Sequence, residues 1–173
     1  GVMENGIEEG LTDFGMEVIQ EMNILGMIID VSHLSESGFW DIKRIASKPF
    51  IASHSNARTI CNHPRNLSDS QLKAIAEVDG VVGINAYPPF LHSSGSATID
   101  DFIAHINYIV KLIGINYVGF GCDFDGMHIF TKGVEDVSKL DAVCKYLEKK
   151  YGSNAEKIMY KNFIRVMKEV LIE

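Results

Sequence analysis

The sequence has few cysteines and no long apolar run, and both absences narrow the class of protein. Its three cysteines, Cys61, Cys122 and Cys144, are an odd number without close spacing, so they predict neither a disulfide framework nor a CxxC zinc site. No apolar stretch approaches the roughly 18 residues of a membrane span, and the first fifteen residues lack the basic and apolar regions of a secretory signal. We therefore expect a protein of a reducing compartment, the cytoplasm.

Basic residues are in the minority, which argues against nucleic acid as a partner. The chain has 16 Lys and Arg against 23 Asp and Glu, a net charge of −7, and no local cluster reverses that sign. Hydrophobic residues make up 46% and charged residues 23%, close to globular averages. At 173 residues, the chain is expected to form one folded domain spanning residues 1–173.

Strand-like and helix-like segments alternate along the chain. Residues with helical spacing begin at Leu11 and again at Phe39, and Ser68 with Gln71 forms a capping box that opens a helix ending near Gly80. Further helices are predicted from Thr98 to Gly114, over about 138–150 and over 155–171. Four short segments rich in β-branched residues predict buried strands: MIIDVS (27–32), FIASHS (50–55), VVGINAY (81–87) and YVGFGCDF (117–124). This alternation indicates an α/β fold with a parallel sheet.

The number of strands points to part of a barrel. No GxGxxG or GxxxxGK[ST] motif follows the first strand, which disfavours dinucleotide-binding and P-loop folds. A closed (β/α)8 barrel usually needs eight strands and about 250 residues, so four strands predict half of a TIM barrel. Because four parallel strands would leave two unpaired edges, we expect the missing half to come from more of the same polypeptide or from another copy, as a homo-oligomer.

Three of the predicted strands end in side chains that bind metals or move protons: His33, His54 and Asp123. In barrel enzymes the carboxyl ends of the strands form the active site, so these residues are expected on one rim. Two imidazoles and a carboxylate resemble a metal hydrolase site and suit zinc. The alternatives are that the histidines are hydrogen-bonded core or loop residues and that Asp123 caps a turn.

The loops after the second and third strands carry further candidates. Arg58 and Arg65 can each bind a carboxylate through the guanidinium fork, although Arg58 is also typical of a solvated loop cation. His63 lies in the same loop. Tyr87 is either a pocket residue or an ordinary core tyrosine, and the Ser/Gly stretch beyond it is suited to a mobile flap. No role is assigned to His92, His105 or His128.

Several long motifs, in order and nearly end to end, resemble the C-terminal part of the membrane (renal) dipeptidase family of zinc peptidases. They include IIDVSHLSESGFWDI, IASHSNARTICNHPRNLSDSQLKAIA, GVVGINAYPPFL, GINYVGFGCDFDG and NFIRVM. The resemblance implies a (β/α)8 barrel with two zinc ions that hydrolyses dipeptides. It implies that His33 and His54 bind one zinc, that Arg65 holds the substrate carboxylate, that Asp123 is the acid/base and that Tyr87 lines the substrate pocket.

Part of the family pattern is absent from these residues. The His-x-Asp pair for the other zinc, the bridging glutamate and the histidine that supports the oxyanion have no counterpart. We therefore expect a fragment or truncated product of a dipeptidase that binds zinc weakly and has little or no activity alone, because catalytic zinc normally has three protein ligands. Two alternatives are a non-catalytic, self-associating half-barrel that binds small ligands or a partner, and another metal-dependent barrel such as an amidohydrolase.

Overall fold

A three-stranded parallel sheet organises the chain. The computed structural model describes residues 8–171. Its strands are β1 (Ile51–Ala52), β2 (Val81–Ile84) and β3 (Val118–Phe120), and they lie in the order β1-β2-β3 with both pairs parallel. These are the last three of the four predicted strands, and their parallel pairing confirms the predicted α/β class.

The first predicted strand is shorter than its apolar pattern indicated. Only the segment 29–31 pairs, through a parallel bridge between Asp30 and Ile51. Val31 N donates to Ile51 O at 2.8 Å, and Ile51 N donates to Ile29 O at 2.9 Å. The prediction of a full strand over 27–32 is therefore wrong, although the segment still runs alongside β1 and delivers His33 to the same edge of the sheet.

Helices and single helical turns connect the strands. The α-helices are α1 (Asp13–Leu25), α2 (Glu36–Ile45), α3 (Asp69–Glu77), α4 (Pro88–Leu91), α5 (Ile99–Ile113), α6 (Leu140–Tyr151) and α7 (Asn162–Val170). A π-helical turn, Lys157–Lys161, precedes α7, and 3-10 turns cover Ile115–Tyr117, Phe124–Gly126, Val137–Lys139 and Gly152–Asn154.

The helix-start signals in the sequence are confirmed. Ser68 N donates to Gln71 Oε1 at 2.9 Å and Gln71 N donates to Ser68 Oγ at 3.3 Å, which completes the predicted capping box of α3. Thr98 is the N-cap of α5, and the helix ends before Gly114. The short helix α4, within PPFL, was not predicted, because its two prolines indicated only a stiff loop exit.

The apolar spacing of α1 does not correspond to a buried face. Its residues Phe14, Val18 and Leu25 are exposed by 74%, 39% and 57%. Helical periodicity therefore identified the helix correctly, but within the described residues nothing covers this side of it.

The sheet curves strongly because two glycines let neighbouring backbones touch. A Cβ added to Gly83 would lie 2.0 Å from the carbonyl oxygen of Ser53, and one added to Gly121 would lie 1.8 Å from the same oxygen. The end of β1 thus reaches across β2 towards β3 on the concave face. Helices pack on the other side over a continuous apolar core that includes Phe39, Phe50, Leu72, Ile84, Phe102, Ile106 and Ile109. In the described part of the chain, no helix has the length and apolarity to cross a bilayer.

One buried histidine ties the loop after β1 to two helices. His105 in α5 is fully buried, its Nδ1 accepts from Ala57 N at 3.1 Å, and its Nε2 lies 3.1 Å from Leu91 O in α4. Because Nδ1 accepts, the ring is neutral and its proton is on Nε2. Burial lowers the pKa of His105 from 6.5 to about 4. His105, to which the sequence analysis assigned no role, therefore has a structural one: it holds the loop after β1 against α4.

His105 should make the stability of the protein depend on pH. The unfolded chain takes up the proton near pH 6.5 and the folded chain only near pH 4, so stability is full above pH 6.5 and falls as the pH drops towards 4. The slope from this one group approaches roughly 1.4 kcal/mol per pH unit. His105→Gln keeps one acceptor and one donor without titrating, so urea denaturation at several pH values should show a shallower dependence. His92→Gln removes an exposed imidazole and should leave the slope unchanged, whereas equal slopes for all three proteins would contradict this assignment.

Candidate active site

The carboxyl ends of the strands bring the predicted site residues to one edge of the sheet. His33 follows the segment 29–31, His54 follows β1, and Asp123 follows β3. The Nε2 atoms of His33 and His54 are 2.8 Å apart, and their rings meet edge to face. The parallel topology thus juxtaposes two imidazoles that the sequence separates by helix α2 and strand β1.

A cavity of about 390 Å³ opens beside this histidine pair. Four of the predicted site residues border it: His33, Arg65, Tyr87 and Asp123. The remaining wall is mainly apolar or aromatic and contains His63, Pro89, Phe90, Gly126, Met127, His128 and Ile129. A mainly apolar pocket with a few convergent polar groups is typical of a small-molecule site.

Arg65 is the arginine that enters the cavity. Its side chain is buried, Nη1 lies 3.0 Å from His33 Nδ1, and its guanidinium carbon lies 5.3 Å from the centre of the Phe90 ring. Arg58 instead forms a salt bridge with Glu36 at 3.0 Å, as expected of a loop cation. The structure therefore separates the two arginines that the sequence left as joint candidates.

Two of the site residues have a left-handed backbone. His33 has φ 75° and Asp123 has φ 60°, a conformation that residues with a Cβ adopt at a cost of about 1–3 kcal/mol. The Asp123 side chain makes no capping hydrogen bond to the turn that follows it. Its Oδ2 instead lies 3.4 Å from Asn85 Nδ2, at the end of β2. The turn-capping alternative for Asp123 therefore has no support in the geometry.

Two buried asparagines hold the loop after β1 against the end of β2. Asn56 Nδ2 donates to Asn85 O at 3.0 Å, and Asn85 N donates to Asn56 Oδ1 at 2.9 Å. Asn85 Oδ1 then accepts from Tyr87 N at 2.6 Å. Both asparagines are completely buried. This network sets where His54, Tyr87 and Asp123 stand relative to one another.

Two histidines of this site, His54 and His63, have pKa values shifted in the direction that favours the neutral ring. Burial lowers the pKa of His54, while the carboxylates of Asp123 and Asp30 act in the opposite direction. Burial and the Arg65 charge lower the pKa of His63, whose ring packs on Phe90 with the centres 4.5 Å apart. A neutral imidazole has the lone pair that metal binding requires.

The donor chemistry of the histidine pair suits a zinc ion. Two imidazole nitrogens meet at one point, and neutral imidazole is a preferred zinc ligand. They supply two of the three protein ligands that a catalytic zinc site normally has. Among residues 8–171, no group of three His, Cys, Asp or Glu side chains is placed to hold a metal. The residues therefore fit part of a zinc site.

Several residues of this site were not singled out from the sequence. Asn85 directly follows the apolar run of β2, a position that could have marked it, whereas Asn56 lies four residues beyond β1 and no local pattern indicates its pairing with Asn85. Met127, Ile129 and His128 follow Asp123 and reach the cavity only because the 3-10 turn Phe124–Gly126 folds back. No local pattern indicates that fold-back.

The chain matches a known protein family over nearly its whole length. The sequence profile described as membrane dipeptidase (peptidase family M19) matches residues 2–172. An uncharacterised dipeptidase of Schizosaccharomyces pombe is 42% identical over 167 residues, and the match covers 94% of this chain and 40% of that protein. Dipeptidase tcpJ of Claviceps purpurea is 36% identical over 170 residues, covering 96% of this chain and 40% of that protein.

A solved structure has the same fold. It is a metallopeptidase from Rhodobacter sphaeroides bound to a phosphinate mimic of the dipeptide L-Ala-D-Ala, with a TM-score of 0.87 and 32% identity. The match covers 94% of this chain and 48% of the solved chain. This chain thus spans less than half the length of these relatives.

Removing the asparagine clamp should cost substantial stability. Asn56→Ala leaves the buried N–H and C=O of Asn85 without these partners, and each such loss costs about 1–3 kcal/mol, so we expect a decrease of about 2–6 kcal/mol in the free energy of unfolding. Urea denaturation measures it. Asn62→Ala changes an exposed asparagine in the same loop and should have little effect. A similar small loss in both variants would show that the clamp does not hold the loop.

Proposed function

Because the chain belongs to the membrane dipeptidase family, peptidase family M19, we propose that it provides part of a zinc-dependent active site that hydrolyses dipeptides. The observation that carries this proposal is the convergence of His33, Arg65 and Asp123 around one cavity, with His54 in contact with His33 beside it. The relatives named dipeptidase and the neighbour that binds a dipeptide mimic support the same substrate class.

Each residue then has a defined task. His33 and His54 would hold a zinc ion, which when bound lowers the pKa of a water molecule to near 7 and polarises a carbonyl. Arg65 would bind the terminal carboxylate of the dipeptide through its planar fork, at the end of the cavity where its guanidinium packs on Phe90. Tyr87 would line the substrate pocket beside it.

Asp123 would move the proton. It would accept a proton from the attacking water as the new C–O bond forms, and it would donate that proton to the amine nitrogen as the peptide C–N bond breaks. Its carboxylate faces the cavity and takes part in no turn cap, so it is available for this exchange.

We also propose that the sheet is the C-terminal half of a (β/α)8 barrel. The strong curvature at Gly83 and Gly121 is what a barrel wall requires, and parallel strands with helices on the convex side are its repeating unit. Residues 1–173 supply only two histidine ligands and the strand ends of this half. Alone, they would therefore have little or no dipeptidase activity. The complete site would form when the complementary half is present.

Asp123 should be needed for turnover and not for metal binding. The test protein joins this chain to the N-terminal segment of a relative, namely the part of that relative that this chain does not match. In this protein, Asp123→Asn should lower the rate of L-Ala-D-Ala hydrolysis about 100-fold or more. Zinc content, measured by mass spectrometry, should stay unchanged, and a chelator should abolish the rate.

The neighbouring Asp125 offers a matched control. Asp125→Asn makes the same chemical change in the same exposed turn and should leave the rate nearly unaffected. Equal loss in both variants would refute the proton role, and hydrolysis that survives removal of zinc would refute the proposed function.

A second candidate, a self-associating binding module, is favoured by one surface. Tyr160, Ile164, Met167 and Leu171 follow a 4-3-4 spacing along α7 and its flanks, which places them on one side of the helix, and each is exposed by at least 41%. Within the described residues, β3 pairs with β2 alone. An exposed apolar stripe and an unpaired strand edge are each typical of an interaction surface.

Size-exclusion chromatography with light scattering distinguishes these candidates. If the module associates through this stripe, Ile164→Glu should shift the chain from oligomer to monomer, because it places a charge in the contact. Lys73→Gln, at an exposed position of α3, changes the net charge by the same amount away from the stripe and should leave the mass unaltered. A well-dispersed monomer before any substitution would exclude self-association.

A further inference from the structure

A hydrogen-bonded relay reaches His54 on the side of its ring opposite His33. Ser53 Oγ lies 2.6 Å from His54 Nδ1 and 2.5 Å from Asp30 Oδ2. The backbone N of His54 donates to Ser32 Oγ at 3.0 Å. Asp30 and Ser53, from two neighbouring strand ends, thus fix the Nδ1 side of the imidazole, while Ser32 holds the backbone of His54.

The direction of each hydrogen bond follows from the donors available. The Asp30 carboxylate can only accept, so the single hydroxyl proton of Ser53 points to Asp30. The Ser53 oxygen must then accept from His54, which places the His54 proton on Nδ1. Neutral His54 therefore has a bare lone pair on Nε2.

The contacts of His33 lead independently to the same tautomer of His54. The Arg65 guanidinium can only donate, so in the pair without metal His33 Nδ1 accepts from it and neutral His33 has its proton on Nε2, a proton that His33 would have to give up to bind zinc through that atom. That proton points at His54 Nε2, 2.8 Å away. The contact between the rings is a normal hydrogen bond only if His54 Nε2 is the acceptor, as the relay from Asp30 requires.

We propose that Asp30, acting through the hydroxyl of Ser53, is a positioning residue that fixes the tautomer of His54 and keeps its Nε2 bare for a metal ion. The inference rests on the proposed function in so far as His54 is a zinc ligand. Carboxylates that orient histidine ligands in this way, directly or through another group, commonly affect metal affinity by about 10–100-fold. Here the serine hydroxyl connects a carboxylate on one strand end to an imidazole on the next.

The relay has a polarity that a single substitution reverses. Asp30 Oδ1 accepts from the backbone N of Ser32 at 3.0 Å and of Ser53 at 2.9 Å, so an asparagine at this position must put its oxygen there and its NH2 group towards Ser53 Oγ. Ser53 would then accept from Asn and donate to His54 Nδ1. The proton of His54 would move to Nε2, where it would face the Nε2 proton of His33.

Nitrogen NMR of the 173-residue chain without metal reads this tautomer directly, since protonated and bare ring nitrogens resonate far apart. Wild-type His54 should carry its proton on Nδ1, and Asp30→Asn should move it to Nε2. Ser53→Ala should remove the preference, and Ser47→Ala, which deletes an exposed hydroxyl outside the relay, should keep the wild-type tautomer. A wild-type His54 protonated on Nε2 would overturn the proposal even if no variant folds.

Zinc titration by calorimetry provides the second readout. Asp30→Asn should weaken zinc binding about 10–100-fold relative to wild type, and Ser47→Ala should leave it nearly unchanged. Equal affinities for wild type and Asp30→Asn, with both folded, would overturn the metal-directing role. Neither readout uses hydrolysis, so the two proposals can fail separately. If His54 has the expected tautomer but the completed protein does not cleave dipeptides, the proposed function is refuted and the role of Asp30 stands.

Discussion

Parallel pairing of three very short strands is the constraint on which this site depends. In a parallel sheet all strands end at one edge, so the residues that follow β1, β2 and β3 are neighbours whatever their separation in sequence. An antiparallel arrangement would send alternate strand ends to opposite edges and would separate His54 from Asn85. The close approach at Gly83 and Gly121 adds curvature, which turns the row of strand ends into an arc facing a common cavity.

Buried polar groups, rather than additional apolar packing, fix the loops on that edge. Asn56, Asn85 and His105 are fully buried, and their hydrogen bonds go mainly to backbone groups that the ends of strands and helices leave unpaired. Such groups are costly unless every donor and acceptor is matched, so a matched set tolerates few alternative loop conformations. This specificity is what a site with atoms positioned to within tenths of an ångström requires.

The parts of the structure that could be predicted from sequence are those governed by local chemistry. The capping box at Ser68 and the apolar runs of β2 and β3 involve residues close in the chain, and they form as expected. The meeting of His33 with His54 could be inferred because strand ends in a barrel share a rim. The Asn56–Asn85 clamp and the His105 tie join residues 29 and 48 positions apart, so no local pattern encodes them. Exposure of Phe14 also escaped prediction, because periodicity identifies an apolar face without identifying what covers it.

The position of the histidine pair limits where a further metal ligand can come from in the proposed barrel. His33 stands at one side of the sheet and Asp123 at the other, and the loop bearing Arg65 closes the space beside His33. The relay from Asp30 occupies the side of His54 that faces away from His33. In the proposed barrel, the facing wall would lie opposite the strands of this sheet. Additional ligands would reach a zinc ion from that facing wall. The same arrangement would explain why the sheet is curved, why the described residues supply only part of a ligand set and why the relatives are about twice as long.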